Sequence, residues 1–373
     1  MIAPLGVLIL LVALLACANG SNDVSKGIAT LVGSGVSNFQ TAAIWGTAWT
    51  VAGGLLAAFA AQGLVATFSG KGFLASPVTG PAFLSAVAAG ALVWVLFASR
   101  AGLPVSTTHA IAGALAGAGI VAQGFSPLHW SFLANRVALP LGLSPLLSMA
   151  LIYAVFPLLH RGVARVENYC VCIERRRFTF ADADGVAMSG AASADGPSTV
   201  VARVEACDVS PTVTARVGAV DALHWLSSAL TSLARGLNDT PKIVALGIVA
   251  SAGLGLSGLS FYALVAAAMG AGSLVAGLRV TETLARKVTT MSPAEGLCAN
   301  LVTTLLVGLA SLASLPVSTT HVSSGAIIGI GLHRGSGSVG WATVREMLVA
   351  WAVTLPAAAL FGGAAYALLS AGS

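Results

Sequence analysis

Long apolar runs, separated by isolated charged residues, dominate the chain. No charged side chain occurs in eight segments: 1–22, 27–70, 72–99, 101–135, 137–160, 243–278, 296–333 and 347–373. A helix that spans a bilayer needs about 20 apolar residues, so each of the longer runs holds more than one membrane element. The pattern predicts an all-α polytopic membrane protein with about 10–12 membrane elements, some of them half-helices or re-entrant segments.

The composition excludes several classes of protein. Apolar residues make up 57% of the 373 residues and charged residues only 8%, against about 25% in soluble proteins. Continuous apolar runs do not fit a transmembrane β-barrel, whose strands alternate apolar and polar residues. The net charge of +5 is spread over many loops and forms no basic stripe, so nucleic-acid binding is not expected. We therefore expect a multi-pass protein of the cell membrane that is embedded in the lipid bilayer.

The charged residues are concentrated in one segment. Residues 161–216 hold 14 of the 31 formal charges. Arg161, Arg165 and Arg175–Arg177 follow an apolar run closely, which by the positive-inside rule predicts a cytoplasmic loop. Its middle part, Ala181–Ser198, is rich in small and polar residues, and we expect it to be flexible.

Three of the five cysteines lie in this loop, at Cys170, Cys172 and Cys207. A C-x-C pair with one distant cysteine is compatible with a metal site or a redox pair. Zinc sites usually show C-x₂-C spacing, so reduced thiols in a cytoplasmic loop are the simpler interpretation.

Two motifs occur once in each half of the chain. Gly102–His109 reads GLPVSTTH and Ser314–His321 reads SLPVSTTH, with seven consecutive identities 212 positions apart. The pattern N-D-x-x-K stands at 22–26 and again at 238–242, 216 positions apart. Because both pairs keep the same order and nearly the same offset, the chain is a duplicated unit.

The duplication predicts three parts: a first transmembrane repeat at 1–160, the charged cytoplasmic loop at 161–216 and a second transmembrane repeat at 217–373. Duplicated membrane halves are typical of secondary transporters. Their substrate site lies at the interface of the repeats near the midplane and is built from interrupted helices.

Both motifs are expected to interrupt helices. In the second repeat, Asn238-Asp239-Thr240-Pro241 predicts a helix start inside the membrane, with Thr240 as N-cap and Pro241 in the first turn. Gly20-Ser21-Asn22-Asp23 is expected to interrupt the first helix in the same manner. In the other motif, Pro104 and Pro316 prevent a regular helix from continuing.

The residues after each of these prolines are candidate ligands of an oxyanion. A helix that begins there would present free backbone N–H groups beside three hydroxyls, a combination that suits phosphate or sulfate. The lysines of the N-D-x-x-K motifs could contact the anion as point charges. The candidate anion-binding residues are Ser106, Thr107, Thr108, Ser318, Thr319, Thr320, Lys26 and Lys242.

The amides and carboxylates of the N-D-x-x-K motifs are candidate ligands of a coupling cation: Asn22, Asp23, Asn238 and Asp239. Their oxygens suit a hard cation such as Na⁺, and a carboxylate can also carry a proton. Each Asp has a Lys one turn along the same helical face. The alternative is therefore a pair of structural ion pairs that fix the two halves.

The histidines that end the hydroxyl motifs have several candidate roles. His109 and His321 could contact phosphate, shuttle protons or brace the loop by bonding to a carbonyl. An intramembrane hydrolase with Ser106 or Ser318 as nucleophile is a remote alternative. Serine and histidine are only three residues apart, and no G-x-S-x-G turn surrounds either serine, so we do not expect an enzyme.

The paired motifs resemble those of the inorganic phosphate transporter (PiT) family, whose G-x-N-D and P-V-S-T-T-H signatures each occur here twice. The resemblance covers essentially the whole chain outside 161–216. It implies two inverted-topology repeats with broken helices and re-entrant hairpins. It also implies a symporter that carries inorganic phosphate together with Na⁺ or H⁺.

The chain departs from the family pattern at the two lysines. Many family members carry Asn where this chain has Lys26 and Lys242, which leaves the coupling ion undecided. An ammonium group can take the place of a bound monovalent cation, so we favour H⁺. No cofactor is expected beyond a Na⁺ at Asp23 and Asp239. A permease for sulfate or another tetrahedral oxyanion is the alternative, and assembly into a homo-oligomer is left open.

Overall fold

The computed structural model describes residues 2–69, 78, 80–126, 128–174, 178–181, 187–190, 198–204 and 213–371. The first half contains α1 (Ile2–Gly33), α2 (Phe39–Ala60), α3 (Gln62–Phe68), α4 (Pro81–Arg100), α5 (Thr107–Gln123) and α6 (Trp130–Ala164). The second half contains α7 (Ala219–Gly253), α8 (Gly258–Ala276), α9 (Leu278–Glu282), α10 (Pro293–Leu312), α11 (Thr319–His333) and α12 (Trp341–Ala371). Short π-helical turns occur at Leu133–Ala138, within α6, and at Thr283–Lys287, after α9.

Helices dominate both halves, as the apolar runs predict. Among the described residues, seven helices are long and apolar enough to cross a membrane: α1, α2, α4, α6, α8, α10 and α12. The prediction of an all-α polytopic membrane protein is therefore confirmed for the two halves that hold these helices. The N-D-x-x-K motifs lie on α1 and α7, and the hydroxyl motifs lead into α5 and α11.

A small β-structure lies between the two halves. The strands are β1 (Tyr169–Glu174), β2 (Phe178–Ala181), β3 (Ala187–Gly190), β4 (Ser198–Arg203) and β5 (Val213–Gly218). They form an antiparallel sheet in the order β4-β1-β5 and a β2-β3 hairpin. The predicted loop therefore contains regular structure that its charge content did not indicate.

Several predictions for the loop fall on residues outside those that the structure describes. These are Arg175–Arg177, Cys207 and, within the segment expected to be flexible, 182–186 and 191–197. Cys170 and Cys172 lie on β1, buried, with their Sγ atoms 3.2 Å apart.

The two halves are packed into each other. Helix α1 packs on α8 while its counterpart α7 packs on α2, and α5 packs on α12 while its counterpart α11 packs on α6. Each motif helix thus contacts the other half, as expected of a duplicated unit. The inverted relation between the halves stays a prediction.

The expected helix breaks at the N-D-x-x-K motifs are wrong. Helix α1 continues through Gly20-Ser21-Asn22-Asp23, and α7 continues through Pro241. Thr240 caps no helix, because it lies in the interior of α7, and its Oγ1 donates to Sδ of Met269 at 3.4 Å. Asn22 and Asn238 find partners on neighbouring elements, and Asp23 and Lys26 bond to each other within α1, so the backbone does not need to open. A single proline removes one backbone N–H, which buried helices tolerate.

The glycines of the same motifs allow close helix packing. A Cβ added to Gly20 would overlap the backbone of Met269 on α8, and one added to Gly236 would overlap the carbonyl of Thr50 on α2. Small residues at such contacts let helix backbones approach each other. These glycines hold α1 and α7 against the opposite half.

Candidate functional site

The hydroxyl motifs begin with the same backbone turn in both halves. Helices α4 and α10 end before a residue in the left-handed region, Gly102 with φ 72° and Ser314 with φ 57°. The amide of the next residue bonds back to the helix, from Leu103 at 2.9 Å and from Leu315 at 2.8 Å. This hydrogen bond closes the last turn and directs the chain into the extended P-V segment. The interruption predicted from the prolines is confirmed.

Helices α5 and α11 then start in the same way. Ser106 and Ser318 are the N-caps, with φ and ψ of −94° and 113° for Ser106 and −95° and 114° for Ser318. Their Oγ atoms accept hydrogen bonds from the amides of His109 (3.3 Å) and His321 (3.2 Å). The first amides of each helix have no intrahelical acceptor, so the positive end of its dipole faces the hydroxyls.

The motif asparagines fasten these turns to α1 and α7. Asn22 Nδ2 donates to Ser99 Oγ at 3.1 Å and to the Leu103 carbonyl at 3.0 Å. In the second half, Ser311 Oγ donates to Asn238 Oδ1 at 3.2 Å. Ser99 and Ser311 are themselves 212 positions apart, so the repeat includes these serines. Each buried asparagine therefore positions the hydroxyl turn of its own half.

The first lysine is enclosed by oxygens. Lys26 Nζ donates to Asp23 Oδ1 at 2.6 Å, to Asn22 Oδ1 at 2.7 Å and to the Asn22 carbonyl at 2.8 Å. Asp23 Oδ2 accepts from Asn19 Nδ2 at 2.9 Å, and Asn19 Nδ2 also donates to Thr107 Oγ1 at 3.0 Å. All five side chains are buried. The ammonium and its partners thus link α1 to the start of α5.

The second lysine connects the two halves. Lys242 Nζ donates to Thr108 Oγ1 of the first half at 2.8 Å and to the Val317 carbonyl at 2.9 Å. Its distance to Asp239 Oδ1 is 3.4 Å, longer than in the first half, and Asn238 Nδ2 donates to the same oxygen at 3.0 Å. Oδ2 of Asp239 has no hydrogen-bond partner within the described part of the chain.

The two hydroxyl motifs meet at the centre of the molecule. Thr320 Oγ1 donates to the Val105 carbonyl of the opposite motif at 2.8 Å. The imidazole rings of His109 and His321 lie 4.8 Å apart between centroids, and His321 Nδ1 is 2.9 Å from the Leu141 carbonyl on α6. This last contact is the bracing role considered for these histidines.

The geometry brings together all the residues that the sequence marks as anion- or cation-binding candidates. Both helix N-termini, both lysines and both carboxylates belong to one buried, connected region. No group of three or more His, Cys, Asp and Glu side chains capable of holding a metal ion occurs in the described ranges. A cation here would have to be held by mixed amide, carbonyl, hydroxyl and carboxylate oxygens.

Sequence reasoning missed two residues of this region, Asn19 and Arg235. Arg235 is only 1% exposed and lies on α7 one turn before Asp239. The repeat could have identified both residues. Asn19 and Arg235 are 216 positions apart, which is the offset that pairs Asp23 with Asp239.

Comparison with known proteins identifies similar chains over almost the full length. A family model described as the phosphate transporter family matches residues 19–362. A "probable low-affinity inorganic phosphate transporter" of Rhizobium meliloti (strain 1021) is 29% identical, with 96% of each chain covered. A protein of the same description from Bacillus subtilis (strain 168) is 28% identical, covering 97% of this chain and 98% of its own. A solved structure titled "The sodium-dependent phosphate transporter" superposes with a TM-score of 0.76 at 21% identity, covering 99% of both chains.

Proposed function

Because the chain belongs to the phosphate transporter family, and is therefore a transporter and not an enzyme, we propose that it is a symporter that carries inorganic phosphate together with a proton. We place it in the cell membrane as a multi-pass protein. The observation that carries the choice of proton is the position of Lys26 Nζ, within 2.8 Å of three oxygens of the first N-D motif.

The anion is held where the two hydroxyl motifs meet. Two helix N-termini converge there, and each contributes amides and hydroxyls that can donate to phosphate oxygens. The ammonium groups of Lys26 and Lys242 add positive charge without a fixed geometry. The proposed phosphate ligands are Ser106, Thr107, Thr108, Ser318, Thr319, Thr320, Lys26 and Lys242.

The lysines also support the choice of the proton as the coupling ion. Na⁺ binds to carboxylate and carbonyl oxygens, and in the first half the Lys26 ammonium already takes Asp23 Oδ1 and both oxygens of Asn22. In the second half Lys242 lies near Asp239 Oδ1. A buried Asp-Lys pair can release and accept one proton when its surroundings change. In this proposal Asp23 and Asp239 carry the proton, and their neighbours Asn22 and Asn238 complete the coupling sites.

One experiment tests phosphate transport and coupling separately. Purified protein in proteoliposomes is given radiolabelled phosphate under an imposed pH gradient, and in parallel under a Na⁺ gradient at fixed pH. We expect the pH gradient to drive uptake, and we expect replacement of Na⁺ by K⁺ or choline to have almost no effect. Sulfate and arsenate serve as competitors. Strong stimulation by Na⁺ at fixed pH would refute proton coupling, and absence of phosphate uptake under both gradients would refute the function itself.

Na⁺ coupling is the second candidate, and one observation favours it. Asp239 Oδ2 has no hydrogen-bond partner among the described residues, so one carboxylate oxygen is available to a cation. The solved structure that shares this fold is titled a sodium-dependent transporter. In that case Na⁺ binds beside Asp239 while Lys26 continues to neutralise Asp23.

A further inference from the structure

Arg235 is a buried cation with few partners. Its side chain is 1% exposed, and Nη1 donates to Thr50 Oγ1 at 3.3 Å. Nε and Nη2 have no hydrogen-bond partner within the described residues. A buried guanidinium is normally bonded through most of its five N–H groups, since an unpaired buried charge is costly. The exception calls for an explanation.

The residue at the equivalent position of the first repeat indicates which groups the side chain of Arg235 lies near. Its counterpart Asn19 bridges Asp23 Oδ2 and Thr107 Oγ1, which joins the carboxylate of the first half to the N-terminus of α5. Arg235 stands one turn before Asp239 on the same helical face, and it lies near enough to both carboxylates to interact with them electrostatically. The carboxylate oxygen that the repeat assigns to Arg235, Oδ2 of Asp239, is also without a partner there.

The charges of the region do not balance. Apart from Glu295, which pairs with Arg334, the buried Asp, Glu, Lys and Arg side chains of the described chain are Asp23, Lys26, Arg235, Asp239 and Lys242. Three cations face two carboxylates, and each carboxylate already has its own lysine. The positive charge in excess is that of Arg235, and a bound anion would neutralise it.

We propose that Arg235 is a ligand of the transported oxyanion and binds it through the unpaired edge of the guanidinium, Nε and Nη2. This inference rests on the proposed phosphate transport. Two adjacent N–H groups match two oxygens of a tetrahedral anion, which a lysine cannot do. The anion is therefore held off-centre, nearer to the second repeat. A dihydrogen phosphate monoanion balances the charge alone, and a hydrogen phosphate dianion needs one further cation.

The test compares stability and phosphate binding in the same variants. Thermal unfolding of the purified full chain in detergent is followed while inorganic phosphate is titrated at constant pH and ionic strength. For R235Q we expect the melting temperature without phosphate to be unchanged or higher, because an unbalanced buried charge is removed. The phosphate concentration for half-maximal stabilisation should rise about 10- to 150-fold, and by a smaller factor in R235K, which keeps the charge but not the fork.

R334Q is the matched control. Arg334 lies 3.5 Å from Glu295 and also bonds to Thr289, so its guanidinium has the partners that Arg235 lacks. We expect R334Q to lower the melting temperature and to leave the half-maximal phosphate concentration unchanged. The control separates loss of a structural arginine from loss of an anion ligand.

The results distinguish the role of Arg235 from the proposed phosphate transport. An R235Q protein with the wild-type phosphate response would overturn the role of Arg235 and leave phosphate transport intact. An R235Q protein that is less stable without phosphate, or does not fold, would also overturn it, because the side chain would then be structural. A wild-type protein that neither gains stability from phosphate nor takes it up would refute the proposed function instead.

Discussion

Replacing Lys26 by Asn should make the stability of the protein depend on Na⁺. The Lys26 ammonium bonds at 2.6 to 2.8 Å to a buried carboxylate and to two further oxygens. Removing one partner of a buried ion pair costs about 3–5 kcal/mol, because the other charge is left unpaired. K26N therefore leaves Asp23 Oδ1 and both Asn22 oxygens without their cation.

Na⁺ can fill that place in the variant but not in the wild type. A ligand present at 100 times its Kd stabilises the folded state by about 2.7 kcal/mol, so Na⁺ should recover a large part of the loss. Thermal unfolding in detergent, with NaCl exchanged for choline chloride at constant ionic strength, measures the effect. We expect a rise of several degrees with Na⁺ in K26N and almost none in the wild type. K242N should respond in the same direction but less, since Lys242 lies farther from its Asp, at 3.4 Å.

The control is K287N, the same substitution at an exposed lysine on the turn after α9. It should not respond to Na⁺. If Na⁺ raises the melting temperature of the wild type as much as that of K26N, then Lys26 does not exclude the cation. In that case the carboxylates return to the role of Na⁺ ligands, and proton coupling loses its structural basis.

Three further predictions concern the turns, the hydroxyls and the loop. S314G should stabilise the protein by about 1 kcal/mol, because a residue with a side chain is strained at φ 57°, and the reciprocal G102S should destabilise it by a similar amount, both measured by thermal unfolding. Single Ala substitutions of the proposed hydroxyl ligands should cost about 1.5–3 kcal/mol of phosphate binding, seen as a roughly 10- to 150-fold higher half-saturating concentration in uptake assays, and six unchanged values would contradict the site. The six positions are Ser106, Thr107, Thr108, Ser318, Thr319 and Thr320. Shortening the Ala181–Ser198 portion should leave uptake largely intact if 161–216 is a separate loop between the repeats, whereas complete loss in a normally inserted variant would contradict that division.

The parts of the fold that sequence predicts correctly are those with local causes. A proline excludes regular helix around it and a serine two positions later caps the next helix, so the starts of α5 and α11 could be placed from Pro104, Ser106, Pro316 and Ser318 alone. Apolar runs of membrane length give the spanning helices in the same way. The duplication also predicts that the two hydroxyl turns lie at the interface of the repeats, and a hydrogen bond from Thr320 to the Val105 carbonyl joins them there.

The expected breaks in α1 and α7 were wrong because their cause is not local. Whether a buried Asn or Asp opens a helix depends on partners that are distant in sequence, such as Ser99 for Asn22 and Ser311 for Asn238. With those partners present the backbone remains helical through the motif. Arg235 was missed because it precedes the motif and matches an asparagine, not another arginine, in the first repeat.

The differences between the repeats are as informative as their similarity. In the first half Asp23 has both oxygens bonded, one to Lys26 and one to Asn19, and the arrangement is closed. In the second half the Lys242 contact is longer, Asp239 Oδ2 is unpartnered, and Arg235 stands where Asn19 stands in the first. If the two halves were identical, each would contribute the same ligands to the anion. Because the excess charge lies on one repeat only, the two halves contribute unequally: Lys26 neutralises the carboxylate of the first half, and the second half adds a further anion ligand, Arg235, to those that both hydroxyl motifs supply.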